Sequence, residues 1–289
     1  MKVERTGSAV VTVRFDDVAH GWEHWVLLRS DAHHDSPACN RKLEKKHLDE
    51  MVAKDGSWCD FGDLFDAMQG KKDPRRNYDE LLAEDKEEDY YDIVVRHAGE
   101  FYAPYANRCV LLGKGNHETK VLKHASTDLT GRLAKALGER LKNGGIDHVV
   151  HPCGYGGWVR YLFTINGTKT TQIRLKFHHG SGGSAPVTDG VIQTKRQAVY
   201  LPDAHIVING HNHKEYILVV QRARINQRGR VYQDRQLHGR IPGYKDDYGD
   251  GTRGFGVERT ESGPTPQGAI WLHLTHAGDN VNYNLIMTD

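Results

Sequence analysis

Five short stretches of this chain each run from an apolar segment into side chains that bind metal ions. They are "LLRSDAHHD" with Asp31 and His33, "WCDFGDLFD" with Asp63 and Asp66, "VLLGKGNHE" with Asn116 and His117, "RLKFHHGSGG" with His178 and His179, and "IVINGHNH" with His211 and His213. Carboxylates, an amide oxygen and imidazoles form a mixed oxygen–nitrogen donor set. It suits first-row divalent ions such as Mn²⁺, Fe²⁺ or Zn²⁺ and is too rich in nitrogen for a Ca²⁺ or Mg²⁺ cage. Each stretch alone has an ordinary reading. Asp-x-His is a common loop string, Asp63 or Asp66 can cap a helix, Asn116 suits a left-handed turn, and paired histidines sit on many surfaces. Their joint occurrence, each behind an apolar run, argues for one pooled site.

Side chains that follow strands meet only where the strands end together, as ligand sites do beyond the carboxyl ends of strands in open α/β sheets. The required elements are legible. "HWVLLRSD" (24–31) and "SWCDFGD" (57–63) read as short strands, and "NRCVLLGKGNHE" (107–118) as a strand entering a Gly-rich turn. Between the first two, "RKLEKKHLDEMVAK" (41–54) places Leu43, Leu48, Met51 and Val52, with the stem of His47, on one helical face. The charged stretch 69–92 reads as a solvated excursion into a helix that runs through about residue 103. Leucines 129, 133, 137 and 141 recur at i+4 over 127–142, behind the N-cap candidates Ser126, Thr127 and Asp128. From 148 onward β signals dominate: a hairpin over 158–177 about Asn166-Gly167, a second over 215–237, and a terminal pair in "AIWLHLTH" and "VNYNLIM". A helix over 188–200 and a strand to Ile208 stand between the hairpins. The pattern predicts an α/β fold, a four-layer-type sandwich of two mixed β-sheets flanked by helices.

With 289 residues, one enlarged domain over 1–289 is the expectation, with a β-rich C-terminal portion and a long loop at 243–268 rich in Gly, Pro and charge. The net charge of +1 gives no global bias towards nucleic acid or a membrane surface. No apolar run approaches the roughly 20 residues that span a bilayer. The N-terminal stretch lacks the apolar core of a signal peptide, and Cys39, Cys59, Cys109 and Cys153 form no CxxC pair. Reduced thiols and a cytoplasmic location are expected from this.

The series D-x-H, G-D-x-x-D, G-N-H-E, H-G and G-H-x-H, from Asp31 to His213, resembles the calcineurin-like metallophosphoesterase superfamily, with "GDLFDAMQGKKDPRR" similar to phage and bacterial members. The resemblance implies a dinuclear centre of divalent transition metals, Mn²⁺ foremost, with Fe, Zn or Ni as alternatives. Asp31, His33 and His213 would hold the first ion, and Asn116, His211 and one of His178 or His179 the second, with Asp63 bridging. His179 is favoured because it directly precedes Gly180; His178 stays open. Asp66 is expected to orient a ligand or cap a helix. His117, one residue from Asn116, would stabilise and protonate the leaving oxygen, and Glu118 would hold its imidazole.

The resemblance further implies hydrolysis of phosphate esters, for which such a centre would supply a metal-bridging hydroxide as the attacking group. Phosphodiesters of nucleotides or nucleic acid are the leading substrate class. A phosphomonoesterase or protein phosphatase using the same ions is the alternative, and a non-catalytic metal-binding scaffold a third reading. Between Arg222 and Arg240 six arginines stand against one acid, Asp234, either a solvated hairpin or a phosphate-attracting rim. Tyr216, Tyr232 and Tyr244 offer rings for a base, Lys71, Lys72, Arg75 and Arg76 a second basic edge, and the glycines after His179 a phosphate cradle. No membrane partner is expected, and oligomeric state stays open.

Overall fold

The protein is described by a computed structural model, which covers residues 1–67, 81–86, 89–182, 188, 190–246, 248–249 and 263–289. Two mixed β-sheets stack face to face with helices outside them, an α/β sandwich. The first sheet has seven strands in the order β1–β2–β7–β8–β9–β11–β10. These are β1 (Lys2–Gly7), β2 (Val10–Val18), β7 (Gly156–Ile165), β8 (Lys169–His178), β9 (Ile206–Asn209), β10 (Tyr216–Ile225) and β11 (Val231–Arg240). The second has six, in the order β13–β12–β3–β4–β5–β6. They are β3 (Glu23–Arg29), β4 (Ser57–Asp60), β5 (Cys109–Leu112), β6 (His151–Pro152), β12 (Ile270–Ala277) and β13 (Asn280–Met287).

Periodicity explains which faces meet. On β7, Val159, Tyr161, Phe163 and Ile165 are buried while the residues between them are half-exposed. These four pack with Val26, Leu28, Cys59, Phe61 and Leu272 of the other sheet into an intersheet core. β4 and β5 are buried at every position, as strands covered on both faces must be. Their second face meets the helices α1 (Arg41–Ala53), α2 (Tyr90–Tyr102), α3 (Asn116–Ala125) and α4 (Leu129–Asn143). Leu48, Met51, Val94, Ala98, Leu133 and Leu137 there pack onto Leu27, Trp58 and Cys109. On the far side of the first sheet lies α5 (Val191–Tyr200), where Thr194 Oγ1 meets the Tyr216 hydroxyl at 2.8 Å.

The expected helices and hairpins are present, with differences of detail. Asp128 caps α4 by accepting from the Gly131 N–H at 2.9 Å, and Asn166-Gly167 turns the β7–β8 hairpin with both residues left-handed. Val52 is 39% exposed and so leaves the buried face of α1, which Glu44 joins, while His47 is buried there as expected of its stem. The turn read at 113–118 holds the start of a helix, α3, because Glu118 supplies the cap that glycine cannot. The β1–β2 hairpin is an addition to the strands expected from sequence. The excursion at 69–92 falls largely outside the described residues, as does most of 243–268.

Behind the sheet edge, Arg29 is buried without access to solvent and answers two carboxylates. Its Nε donates to Asp60 Oδ2 at 3.0 Å and its Nη2 to Glu44 Oε1. The rings of Trp58, Tyr102 and Tyr244 surround the guanidinium at 5.2, 5.0 and 5.4 Å. Burial works against the ionised Glu44 carboxylate, but Arg29 and His34 outweigh it and hold its pKa at about 2. Removing one member of such a cluster strands a buried charge. Glu44→Ala is expected to cost about 3–5 kcal/mol in urea unfolding; an unchanged midpoint would show that the cluster relaxes at no cost.

Candidate metal centre

β3, β4 and β5 run parallel within one sheet, and β8 and β9 within the other. Their carboxyl ends open at one rim, and each of the five sequence stretches delivers its side chains there. The backbone is bent to do so. Asp31, His33, Asp63, His211 and His213 all have positive φ, between 46° and 78°. Left-handed non-glycine residues of this kind cost about 1 kcal/mol or more each and gather at functional sites. Two glycines let the carboxylates come close: a Cβ on Gly115 would collide with the Asp63 side chain, and one on Gly210 with Ser30 and Asp31.

One rule organises the side chains: one atom is tethered to the protein frame and the other faces the centre. Asp31 Oδ2 accepts the His211 N–H at 2.9 Å, while its buried Oδ1 has no hydrogen-bond partner. Asp63 Oδ1 accepts the His117 N–H at 2.9 Å, leaving Oδ2 at 3.0 Å from His179 Nε2. His179 Nδ1 donates to the Phe61 carbonyl at 3.2 Å, so its Nε2 is the inward atom, 3.3 Å from Asn116 Oδ1. His33 Nδ1 is ion-paired with Asp66 Oδ1 at 2.8 Å, and its Nε2 is buried without a hydrogen-bond partner. His117 Nδ1 donates to the Asp66 carbonyl, turning Nε2 to within 3.8 Å of Asp63 Oδ2.

The donor atoms fall into groups. Asp31, His33 and His213 form one triad and Asp63, His179 and His211 another, each with its atoms within 4.8 Å. A third group, His33, Asp63 and His117, overlaps both. Burial alone would lower the His179 imidazole, yet Asp63 and Asp31 together outweigh it and lift the pKa to about 9. The same pairing, with His117 and His33 adding to it, holds Asp63 well below the usual carboxylate range against its burial. His117 and His211 are pushed down by burial.

Of the residues singled out from sequence, Asp31, His33, Asp63, Asn116, His117, His179, His211 and His213 come together here. His178 does not; it faces away, and its Nδ1 accepts the Gly180 N–H at 3.1 Å. Strand alternation decides between the two neighbours. Glu118 is placed elsewhere than expected. Its carboxylate accepts from the N–H groups of Asp63, Phe65 and Gly115 at 3.1, 2.9 and 2.8 Å, tying the second turn to the third. Burial and Asp63 push it up to about 8 against those donors. The His117 ring is oriented by the Asp66 carbonyl instead. Asp66 also orients His33, as expected, and is itself held by Lys245 at 3.0 Å. Nothing at a spacing of 179 residues signals that Lys245 contact.

The supposed basic rim is largely committed to structure. Arg222 grips Asp234 with two hydrogen bonds, Arg235 donates to the Tyr283 carbonyl, and Arg240 to that of Gly210. The tip at Arg228 and Arg230 ends a ten-residue strand, roughly 30 Å from its start beside the centre. Tyr244 is fully buried and bonds His47. Lys71, Lys72, Arg75 and Arg76 lie outside the described residues, as does 183–187 of the glycine cradle.

The residues fit divalent metal ions: buried Asp31 Oδ1, His33 Nε2 and His211 Nδ1, which have no hydrogen-bond partner, belong to the two triads. No helix among the described residues is long and apolar enough to cross a membrane. No family model and no curated protein matches the chain. Solved structures it is similar to include a predicted phosphoesterase from Streptococcus pneumoniae, at 10% identity over 92% of this chain and 90% of that one, TM-score 0.32. Vacuolar protein sorting 29 from Cryptosporidium parvum matches at 10% over 92% and 98%, TM-score 0.37. GAP50, the anchor in the inner membrane complex of Plasmodium, matches at 12% over 92% and 84%, TM-score 0.42. At such scores the chemistry rests on this chain's own residues.

Mn²⁺ is expected to raise the melting temperature, by about 2.7 kcal/mol of stabilisation at a hundredfold excess over Kd, and EDTA to reverse it. His179→Ala should lose most of that shift and His178→Ala keep it. Equal shifts in the two variants would reject His179 as the metal-facing residue.

Proposed function

We propose that the chain is a metal-dependent phosphoesterase of the calcineurin-like kind, one domain over 1–289, that hydrolyses phosphodiester bonds of nucleotides or nucleic acid. The observation that carries this reading is the pair of donor triads that share one rim, with His117 beside them. Asp31, His33 and His213 would hold one divalent ion and Asp63, Asn116, His179 and His211 the other, with Mn²⁺ the favoured metal. Bound there, such ions make a nucleophile of water near neutral pH and take up charge on phosphoryl oxygens.

The chain's own residues do the rest. Asp63 Oδ2 stands between His179 and His117, so its carboxylate can serve both groups while the His117 N–H holds its other oxygen. His117 carries its Nδ1 proton on the Asp66 carbonyl, and Nε2 is left to hold or deliver a proton at the leaving oxygen. Burial lowers this imidazole by more than Asp63 and Asp66 raise it. Asp66 and Lys245 fix the His33 ring. The commitment of neighbouring cations favours a diester: Lys245 answers Asp66, and Arg240 answers the Gly210 carbonyl. A monoanionic diester asks for less extra positive charge than a dianionic monoester.

With Mn²⁺ added, bis-p-nitrophenyl phosphate should be cleaved faster than p-nitrophenyl phosphate. Monoester preference would overturn the diester assignment, and turnover of neither ester the enzymatic one. Asp63→Asn should abolish cleavage and lower metal content. His117→Gln should keep metal while kcat falls about 10²- to 10⁴-fold; full activity in that variant would remove His117 from the chemistry.

A further inference from the structure

The outer face of the first sheet carries a row of partly exposed cations and a tryptophan ring. On β7 and β8 the residues pointing away from the core are Trp158, Arg160 and Leu162, and Gln172, Arg174 and Lys176. Register sets Trp158 opposite Lys176 and Arg160 opposite Arg174. Two like charges directly opposite each other on a sheet are destabilising. Each arginine also keeps its Nε shielded from solvent and without a hydrogen-bond partner. Compensation from acids is slight. Asp203 reaches Arg174 only at 4.0 Å and is itself 73% exposed, while Glu4, which lies in the field of Arg160, makes its hydrogen bond to Arg14 at 2.6 Å. Lys176 sits over the Trp158 ring at 5.5 Å. Among the described residues α5 covers the other end of this face, through Tyr216 and the Leu201 carbonyl that Gln236 holds.

This row leads to the metal centre. Along β8, Arg174 and Lys176 are followed by His178 on the same face, and the next residue, His179, is in the centre. At about 3.3 Å per residue, Lys176 and Arg174 stand roughly 7 and 13 Å back from His178. The Tyr155 ring closes the gap, packed edge-on against His178 at 5.1 Å and His179 at 5.3 Å. From the centre outward the face therefore presents the Tyr155 ring, then Trp158 level with Lys176, then Arg160 level with Arg174, over a length beyond any single nucleotide. A groove of cations with stacking rings is how proteins hold single-stranded nucleic acid without reading its sequence.

We propose that this sheet face is a docking track for single-stranded nucleic acid, with its phosphates on Lys176, Arg160 and Arg174 and bases on Trp158 and Tyr155. That the track feeds a phosphodiester to the metals rests on the phosphoesterase reading; the binding itself does not.

The test is fluorescence anisotropy of a labelled short oligothymidylate with the full chain in EDTA, where no cleavage occurs, at several salt concentrations. Arg160→Glu with Arg174→Glu should weaken binding roughly tenfold or more at low salt. The same pair should flatten the slope of log affinity against log salt by about 0.7 for each phosphate left without its cation. Trp158→Ala should cost about 5- to 100-fold, and Trp158→Tyr should restore most of it. Arg140→Glu with Lys142→Glu, an equal charge change on α4 at the opposite side of the sandwich, should leave affinity unchanged. Melting temperatures establish that the variants compared are folded. No measurable wild-type affinity, wild-type affinity in the track variants, or an equal loss in the α4 control would each overturn the track. Failure of the metal-loaded chain to cleave a small diester would overturn the phosphoesterase reading and leave the binding result standing.

Discussion

The constraint on which this site depends is that buried carboxylates and imidazoles must be held close together without collapsing onto one another. Left free, Asp31, Asp63 and their histidines would pair internally or draw in water. The chain limits this by anchoring one atom of each to the frame, Asp31 to the His211 N–H, Asp63 to the His117 N–H and His179 to the Phe61 carbonyl, so that Asp63 Oδ2 meets His179 Nε2 at 3.0 Å while Asp31 Oδ1 keeps no hydrogen bond. The other atom then has a single direction to face. The left-handed residues at the rim follow from the same need, since a strand end must turn sharply to aim a side chain along its own axis.

Around the centre, oxygen atoms that a pattern search would pass over do the positioning. The Asp66 carbonyl sets the His117 ring while its carboxylate sets His33, so one residue orients both neighbours. Glu118 binds three backbone amides and locks the second turn against the third. Behind them, Asp60 joins this edge to the Arg29–Glu44–Tyr102 cluster and so to α1 and α2. Polar contacts thus reach from the rim into the helix layer.

Charge is distributed unevenly about this frame. The arginines of the β10–β11 hairpin, prominent in the sequence, are mostly spent on Asp234 and on carbonyls. Those of β7 and β8, unremarked in the sequence, stand opposed with little acidic compensation. Density of charge along a chain says little about where unspent charge lies on a surface; register across strands says more.

The sequence by itself determined the donor inventory, the strands that carry it and the fold class. A donor's identity and its place after an apolar run are local properties, and the alternation in "WVRYLFTI" or the Leu stripe from 129 to 141 reports burial directly. It carried less about β1, where Val3 is the single apolar residue and gives no alternation, and about α3, whose cap comes from Glu118 reaching back. Tertiary structure alone decided between His178 and His179, because strand phase sends neighbours to opposite faces. It alone gave His117 to a backbone carbonyl and His33 to a carboxylate held by Lys245, because contacts between residues so far apart in the chain exist only once the two sheets have closed on each other.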